Sequence, residues 1–167
     1  FRINEAVARA VAAASARISV PVIQLSTDYV FSGTKGPHAE DEPTRPQSVY
    51  GASKLAGERA VAAENTDHVI LRTAWVYSPF GRNFVKTMLK LSAERDVVSV
   101  VSDQYGNPTS ALDLADGILH VANTLASKPS VSNFGIFHIA GSGDASWADV
   151  AQEVMEGCRE RGHPFAQ

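Results

Sequence analysis

Residues 20–27 read VPVIQLST, and DYVF follows at 28–31. The run is short and largely apolar, and it closes on two hydroxyls, Ser26 and Thr27. Such a run, bounded by polar residues, is the pattern of a buried parallel strand, expected over 20–26. Before it, Asn4 and EAVARAVAAASAR read as an N-cap and an Ala-rich amphipathic helix over 5–17. After it, FSGTKGPHAEDEPTRPQ (31–47) is rich in Gly, Pro and charge, so it reads as a loop. A loop that long inside a compact domain is more often functional than idle. Ser48 then caps a helix over 49–64, VYGASKLAGERAVAAE.

The alternation continues downstream. HVILRTAWVY (68–77) is the next apolar strand, and SPFGRN turns into a helix over 83–95. VVSVVSD (97–103) alternates like a strand, and QYGNPTS is a turn-rich loop. A helix follows over 111–126, then the loop KPSVSN and the strand FGIFHIAG (134–141). Ser146 caps a last helix, WADVAQEVMEGCRER. Strands alternating with helices specify an α/β fold built on a largely parallel sheet.

Composition narrows the function. The 167 residues are 44% hydrophobic and 20% charged, with a net charge of −3. That balance suits a globular protein and lacks the basic face that nucleic acid demands. No run of 18 or more apolar residues occurs, so no membrane partner is expected. Cys158 is the single cysteine, which fits a reducing cytoplasm and forbids an internal disulfide. His38, His68, His120, His138 and His163 form no H-x-x-x-H or H-E-x-x-H pair, so no metal site is expected.

The chemistry sits in two stretches, STDYVF and VYGASK. Tyr50 and Lys54 are four residues apart in the first turns of one helix, so they share a face. Alone, Y-x-x-x-K is weak, and two surface residues on a solvated helix would read the same. The setting strengthens it, because ligands of parallel sheets bind beyond the carboxyl ends of strands, where Ser26 and Thr27 lie. A tyrosine holds its proton to a pKa of about 10, and a neighbouring ammonium stabilises the phenolate. Tyr50 is thus a candidate proton donor to a carbonyl oxygen, with Thr27 bonding the same oxygen. Lys54 has donors left for a cofactor ribose. Together they specify a carbonyl/alcohol redox site.

STDYVF, VYGASKLAGE, LRTAWVY, GRNFVKTML and DQYGNPTSALDLA, in that order, resemble the dTDP-4-dehydrorhamnose reductases of the extended short-chain dehydrogenase/reductase family. The resemblance runs from about Asn4 to the last helix. It implies a doubly wound parallel sheet of the NAD(P)-binding Rossmann-like type, with part of a smaller substrate-binding domain. Residues 1–80 would then hold the catalytic half of the Rossmann-like domain. Residues 81–167 would mix substrate-binding segments with helices returning to it. By the same resemblance Thr27, Tyr50 and Lys54 are the catalytic trio, and Lys54, Tyr50, Ser26 and Thr73 contact NADPH or NADH. Tyr29, Trp75, Asn83 and Gln104 contact a dTDP-4-keto-6-deoxy sugar. Read from the residues alone, Trp75 fits a core position, Tyr29 packing, and Asn83 a helix cap.

Within the family, nucleotide-sugar dehydratases carry Asp-Glu directly after the Thr; here Thr27 is followed by Asp28 and Tyr29. Epimerases usually carry a Ser-Ser-x-x-Val-Tyr-Gly strand end and lack the DQYGNPT loop. Reduction by NADPH or NADH is the reading that remains. The family's G-x-x-G-x-x-G loop, whose helix N-terminus holds the pyrophosphate, does not occur in the sequence. Because the chain opens on Phe1 within a helical pattern, it reads as incomplete. By the resemblance, about two βαβ units are expected before it and a last substrate-domain piece after Gln167. Two alternatives stand beside the reductase: a binding relative like the regulatory subunit of methionine adenosyltransferase, and an inactive fragment. The helices over 49–64 and 83–95 are the candidate faces for a homodimer.

Overall fold

A computed structural model describes residues 2–34, 36–127 and 130–162. The chain divides into two compact units, Phe1–Thr73 with Ala115–Ile139, and Ala74–Leu114 with Ala140–Gln167. The division after Thr73 comes earlier than the expected boundary at 80. His163 and the residues after it lie outside the described residues.

The first unit is built on three parallel strands in the order β1 (Val22–Thr27), β2 (His68–Thr73), β6 (Gly135–His138). β1 and β2 run in register from Val22 opposite His68 to Thr27 opposite Thr73, so both end together. Helices cover both faces, as the period-2 alternation of side chains requires. On one face Val22 packs with Ala8 and Ala12 of α1 (Ala8–Arg17) and Val61 of α2 (Val49–Glu64). On the other, Val69 and Leu71 pack with Leu125, Ile118 and Val121 of α4 (Ala111–Ser127). Ile70, Val61 and Val69 are almost fully buried, each worth roughly 1.5–3 kcal/mol over an exposed position. The α/β parallel-sheet expectation holds.

Small residues let α2 approach its neighbours. A Cβ on Gly57 would lie 2.2 Å from the Asn4 carbonyl oxygen of the first helix. Asn4 is not the N-cap expected of it. The helix begins at Arg2 with π-type turns through Val7, and Asn4 Nδ2 donates to Ser53 Oγ at 2.9 Å. Ser48 does cap α2, its Oγ accepting from the Gly51 amide at 3.0 Å.

The second unit holds short pairings: β3 (Val76–Tyr77) parallel to β5 (Thr109–Ser110), and β4 (Tyr105–Gly106) antiparallel to β7 (Ala145–Ser146). α3 (Phe84–Glu94) and α5 (Trp147–Glu160) pack together. Ser146 caps α5, as the sequence signalled, and the structure adds a reciprocal box with Asp149. Two strand expectations fail. The run over 68–77 breaks after Thr73, because Trp75 takes φ +43° and sends β3 to a different sheet. VVSVVSD forms no strand: Val97 is 79% exposed, and the carbonyl of Val101 accepts from the amide of Ala148 instead. Alternation promises a strand only where a neighbour supplies the ladder.

Candidate active site

Six of the residues singled out in the sequence gather in the first unit, at the carboxyl ends of β1 and β2. Thr27 is buried and starts a single 3-10 turn, Asp28–Val30. Its Oγ1 accepts from the Tyr29 amide at 3.3 Å and donates to Asp28 Oδ1 at 3.0 Å. The turn brings Tyr29 edge-on to Tyr50, with ring centroids 6.0 Å apart and planes at 79°. Gly51 makes this approach possible, since a Cβ there would sit 2.1 Å from the Tyr29 carbonyl oxygen. Tyr50 and Tyr29 are each 51% exposed, so both rings are open to a ligand.

Lys54 lies one turn along from Tyr50, and its Nζ donates to the Leu25 carbonyl at 2.6 Å. Burial pulls its pKa down, opposed by the Glu58 carboxylate. Burial likewise raises the Asp28 carboxyl from its ordinary value, against the hydrogen bond from Thr27 and two from backbone. Tyr29 is raised by burial, then by the charges of Asp28 and Tyr50. The Ser26 hydroxyl donates to Glu58 Oε1 at 2.5 Å. Thr73, opposite Thr27, keeps a buried Oγ1 with no hydrogen-bond partner among the described residues. A lone buried hydroxyl costs roughly 1–3 kcal/mol unless something arrives to bond it.

The remaining three residues lie in the second unit. Trp75 stacks face to face on Trp147, centroids 3.5 Å apart, with Phe84 tilted against Trp147 at 4.4 Å. These rings, Asn83, Arg82 and Pro108 line an open cleft of about 150 Å³. Asn83 also does what a cap does: Oδ1 accepts from the Lys86 amide and Nδ2 donates to the Ser78 carbonyl. Gln104 is exposed and does not line the cleft. Among the described residues no group of His, Cys, Asp and Glu could hold a metal, and no helix is long and apolar enough to cross a membrane.

The sequence profile of the RmlD substrate binding domain family matches residues 1–166. This chain belongs to that family.

Its relatives agree. A dTDP-4-dehydrorhamnose reductase of Sinorhizobium fredii is 52% identical over 156 residues, which are 93% of this chain and 53% of the relative. A crystal structure of a dTDP-4-dehydrorhamnose reductase from Clostridium acetobutylicum is 41% identical with a TM-score of 0.86, over 98% of this chain and 55% of that one. The Bacillus anthracis reductase, solved with NADP, is 36% identical with a TM-score of 0.84, over 98% of this chain and 55% of that one. The chain thus spans about half the length of the relatives it matches.

The RmlD-family chain also holds groups that the sequence reading passed over. Trp147 was read only as a helix residue, yet it forms half of the stack in the cleft. Glu58 and Arg72 stand in the sequence only inside the motifs VYGASKLAGE and LRTAWVY. They form a buried bidentate ion pair, with Nη2 to Oε2 at 2.8 Å and Nε to Oε1 at 3.0 Å. The Glu that closes VYGASKLAGE and the Arg set within the apolar run HVILRTAWVY were the available signals. An Arg inside a buried strand demands a counter-charge.

Proposed function

We propose that this chain carries the catalytic portion of an NAD(P)H-dependent reductase. Its substrate is the 4-keto group of a nucleotide-linked deoxysugar, as in dTDP-4-dehydrorhamnose, reduced to dTDP-L-rhamnose. The observation that carries the reading is the convergence of Thr27, Tyr50 and Lys54 beside the unpartnered Thr73 hydroxyl, at the ends of two parallel strands. Thr73, Ser26, Tyr50 and Lys54 would hold the nicotinamide end of the cofactor, and the free Thr73 Oγ1 fits a polar group arriving there. When bound, the nicotinamide supplies a hydride.

The chain's own residues handle the oxygen. Reduction adds hydride to the carbonyl carbon and a proton to its oxygen, and Tyr50 gives that proton. The phenolate left behind is stabilised by the ammonium of Lys54 on the same helix face. A threonine hydroxyl has one proton to donate, and that of Thr27 is engaged with Asp28. Turning it to the substrate oxygen holds the carbonyl in line and releases Asp28, whose burial already favours its neutral form. Tyr29 offers a ring beside Tyr50. In the second unit Trp75 and Asn83 would meet the sugar nucleotide, with Trp147 fixing the Trp75 ring; exposed Gln104 would approach it from the loop before β4.

Turnover of a dTDP-4-keto-6-deoxy sugar with NADPH, followed at 340 nm in the full-length protein, tests the reading. Tyr50→Phe is expected to lower kcat by at least about 100-fold with substrate affinity nearly intact. An active Tyr50→Phe protein would sink the mechanism, and a wild type without turnover would favour the non-catalytic binding relative.

A further inference from the structure

We infer that Glu58, held by Arg72 and Ser26, is a positioning residue for Lys54, and through it for the Tyr50 hydroxyl. This rests on the reductase reading above. Glu58 follows Lys54 by four residues on α2, so the two share a helix face. It is 3% exposed, yet it sits within a turn of the half-buried lysine rather than in a remote core. Its carboxylate takes three hydrogen bonds, two from the Arg72 guanidinium and one from Ser26, the residue before Thr27. Ser26 and Arg72 are themselves register partners at the ends of β1 and β2. The bridge therefore ties the middle of α2 to the strand ends from which Thr27 and Thr73 project. Lys54 makes the parallel tie one turn earlier, to the Leu25 carbonyl.

An ion pair this buried is a poor device for stability alone, because an apolar pair of the same shape does as well. Its placement gives it a different use. The turn after β1 brings Asp28 and Tyr29 against α2, and β2 brings Arg72 and, at its other end, His68. The first helix brings Arg17, Glu5 and Arg9, of which Arg9 bonds Glu64 at the far end of α2. Tyr50 shares the helix. Of these charges, that of Glu58 is the one that acts on the Lys54 ammonium, against burial. Arg72 extends the tie to the long loop, through Nη1 to the Glu40 carbonyl at 3.1 Å and by lying 5.0 Å from the Phe31 ring centre.

The test reads Lys54 directly and needs no turnover, so it fails or stands apart from the reductase reading. The side-chain carbon of Lys54, isotopically labelled and assigned with Lys54→Arg, is titrated by NMR in wild type and variants. Glu58→Gln is expected to lower the Lys54 midpoint by about one pH unit or more, a tenfold change in protonation. Because that variant leaves Arg72 buried without a counter-charge, Glu58→Gln/Arg72→Met is measured beside it. The double variant keeps the fold, read as an unchanged melting transition, and still titrates Lys54 below wild type. An unmoved midpoint in the folded double variant overturns the inference and leaves Glu58 a structural residue.

Discussion

Thr73 closes β2 with a buried hydroxyl that has no hydrogen-bond partner among the described residues. Removing it should cost the free protein nothing. Thr73→Val is expected to leave the melting temperature unchanged or slightly raised, since the lost group had no partner. The same change should weaken NADPH binding by roughly 3–10-fold, the worth of one hydrogen bond, measured calorimetrically on the full-length protein. Equal affinity in the two proteins would mean that Thr73 does not touch the cofactor. Trp75 is the other telling residue. A bulky side chain at φ +43° is a rare conformation that surroundings must hold in place. Here the Trp147 stack holds it, and Gly106 leaves room for the ring, since a Cβ there would fall 2.4 Å from it. Neither the strain nor its cause is written locally in ILRTAWVY.

At the scale of elements, the placement of Tyr50 depends on how closely the start of α2 meets the turn after β1. Gly51 sets that distance. Gly51→Ala would drive a methyl into the Tyr29 backbone, which cannot yield as a flexible side chain would. We expect a loss of about 1–3 kcal/mol in denaturant unfolding and a fall in kcat, because Tyr50 moves with its helix. A variant as stable as wild type would show that the approach relaxes freely. The helix itself was legible: Ser48 and the Ala-rich run predicted 49–64, and α2 is Val49–Glu64. Cap and propensity are local signals, and they act before tertiary contacts form. The strand ends were less legible, because a strand stops where its neighbours stop, and β2 lost its last four expected residues to the break at Ala74–Trp75.

For the molecule as a whole, acid should loosen the first unit before the carboxylates titrate. Burial holds His138 below the ordinary imidazole value of 6.5, with Glu40 and Glu58 opposing and Arg72 assisting. A histidine depressed in the folded state binds more protons when unfolded, so stability rises with pH across that range. The contribution is complete above 6.5 and is lost as pH falls from there toward the folded value. The melting temperature is expected to be lower at about pH 5.5 than at about pH 7.5, and His138→Gln should flatten that dependence. Glu40 and Asp149, both held below their ordinary 4.5 and 3.8, add their losses only at lower pH. A slope as steep in His138→Gln as in wild type would assign the effect elsewhere.

Residue order alone reaches what is local or combinatorial. Helix caps at Ser48, Asn83 and Ser146, the α/β alternation, and the motifs that place the chain in its family can all be read residue by residue. Spacing alone put Tyr50 and Lys54 on one face. Which partners meet across long separations is settled by the folded chain. The separations of 14 residues from Glu58 to Arg72, and of 32 from Ser26 to Glu58, carry no trace of the bridge they close. The same holds for the Trp75–Trp147 stack and for the failure of VVSVVSD to become a strand. The physical reason is common to all three. Burial, charge pairing and strand pairing are properties of two segments at once, and one segment read alone specifies only its half.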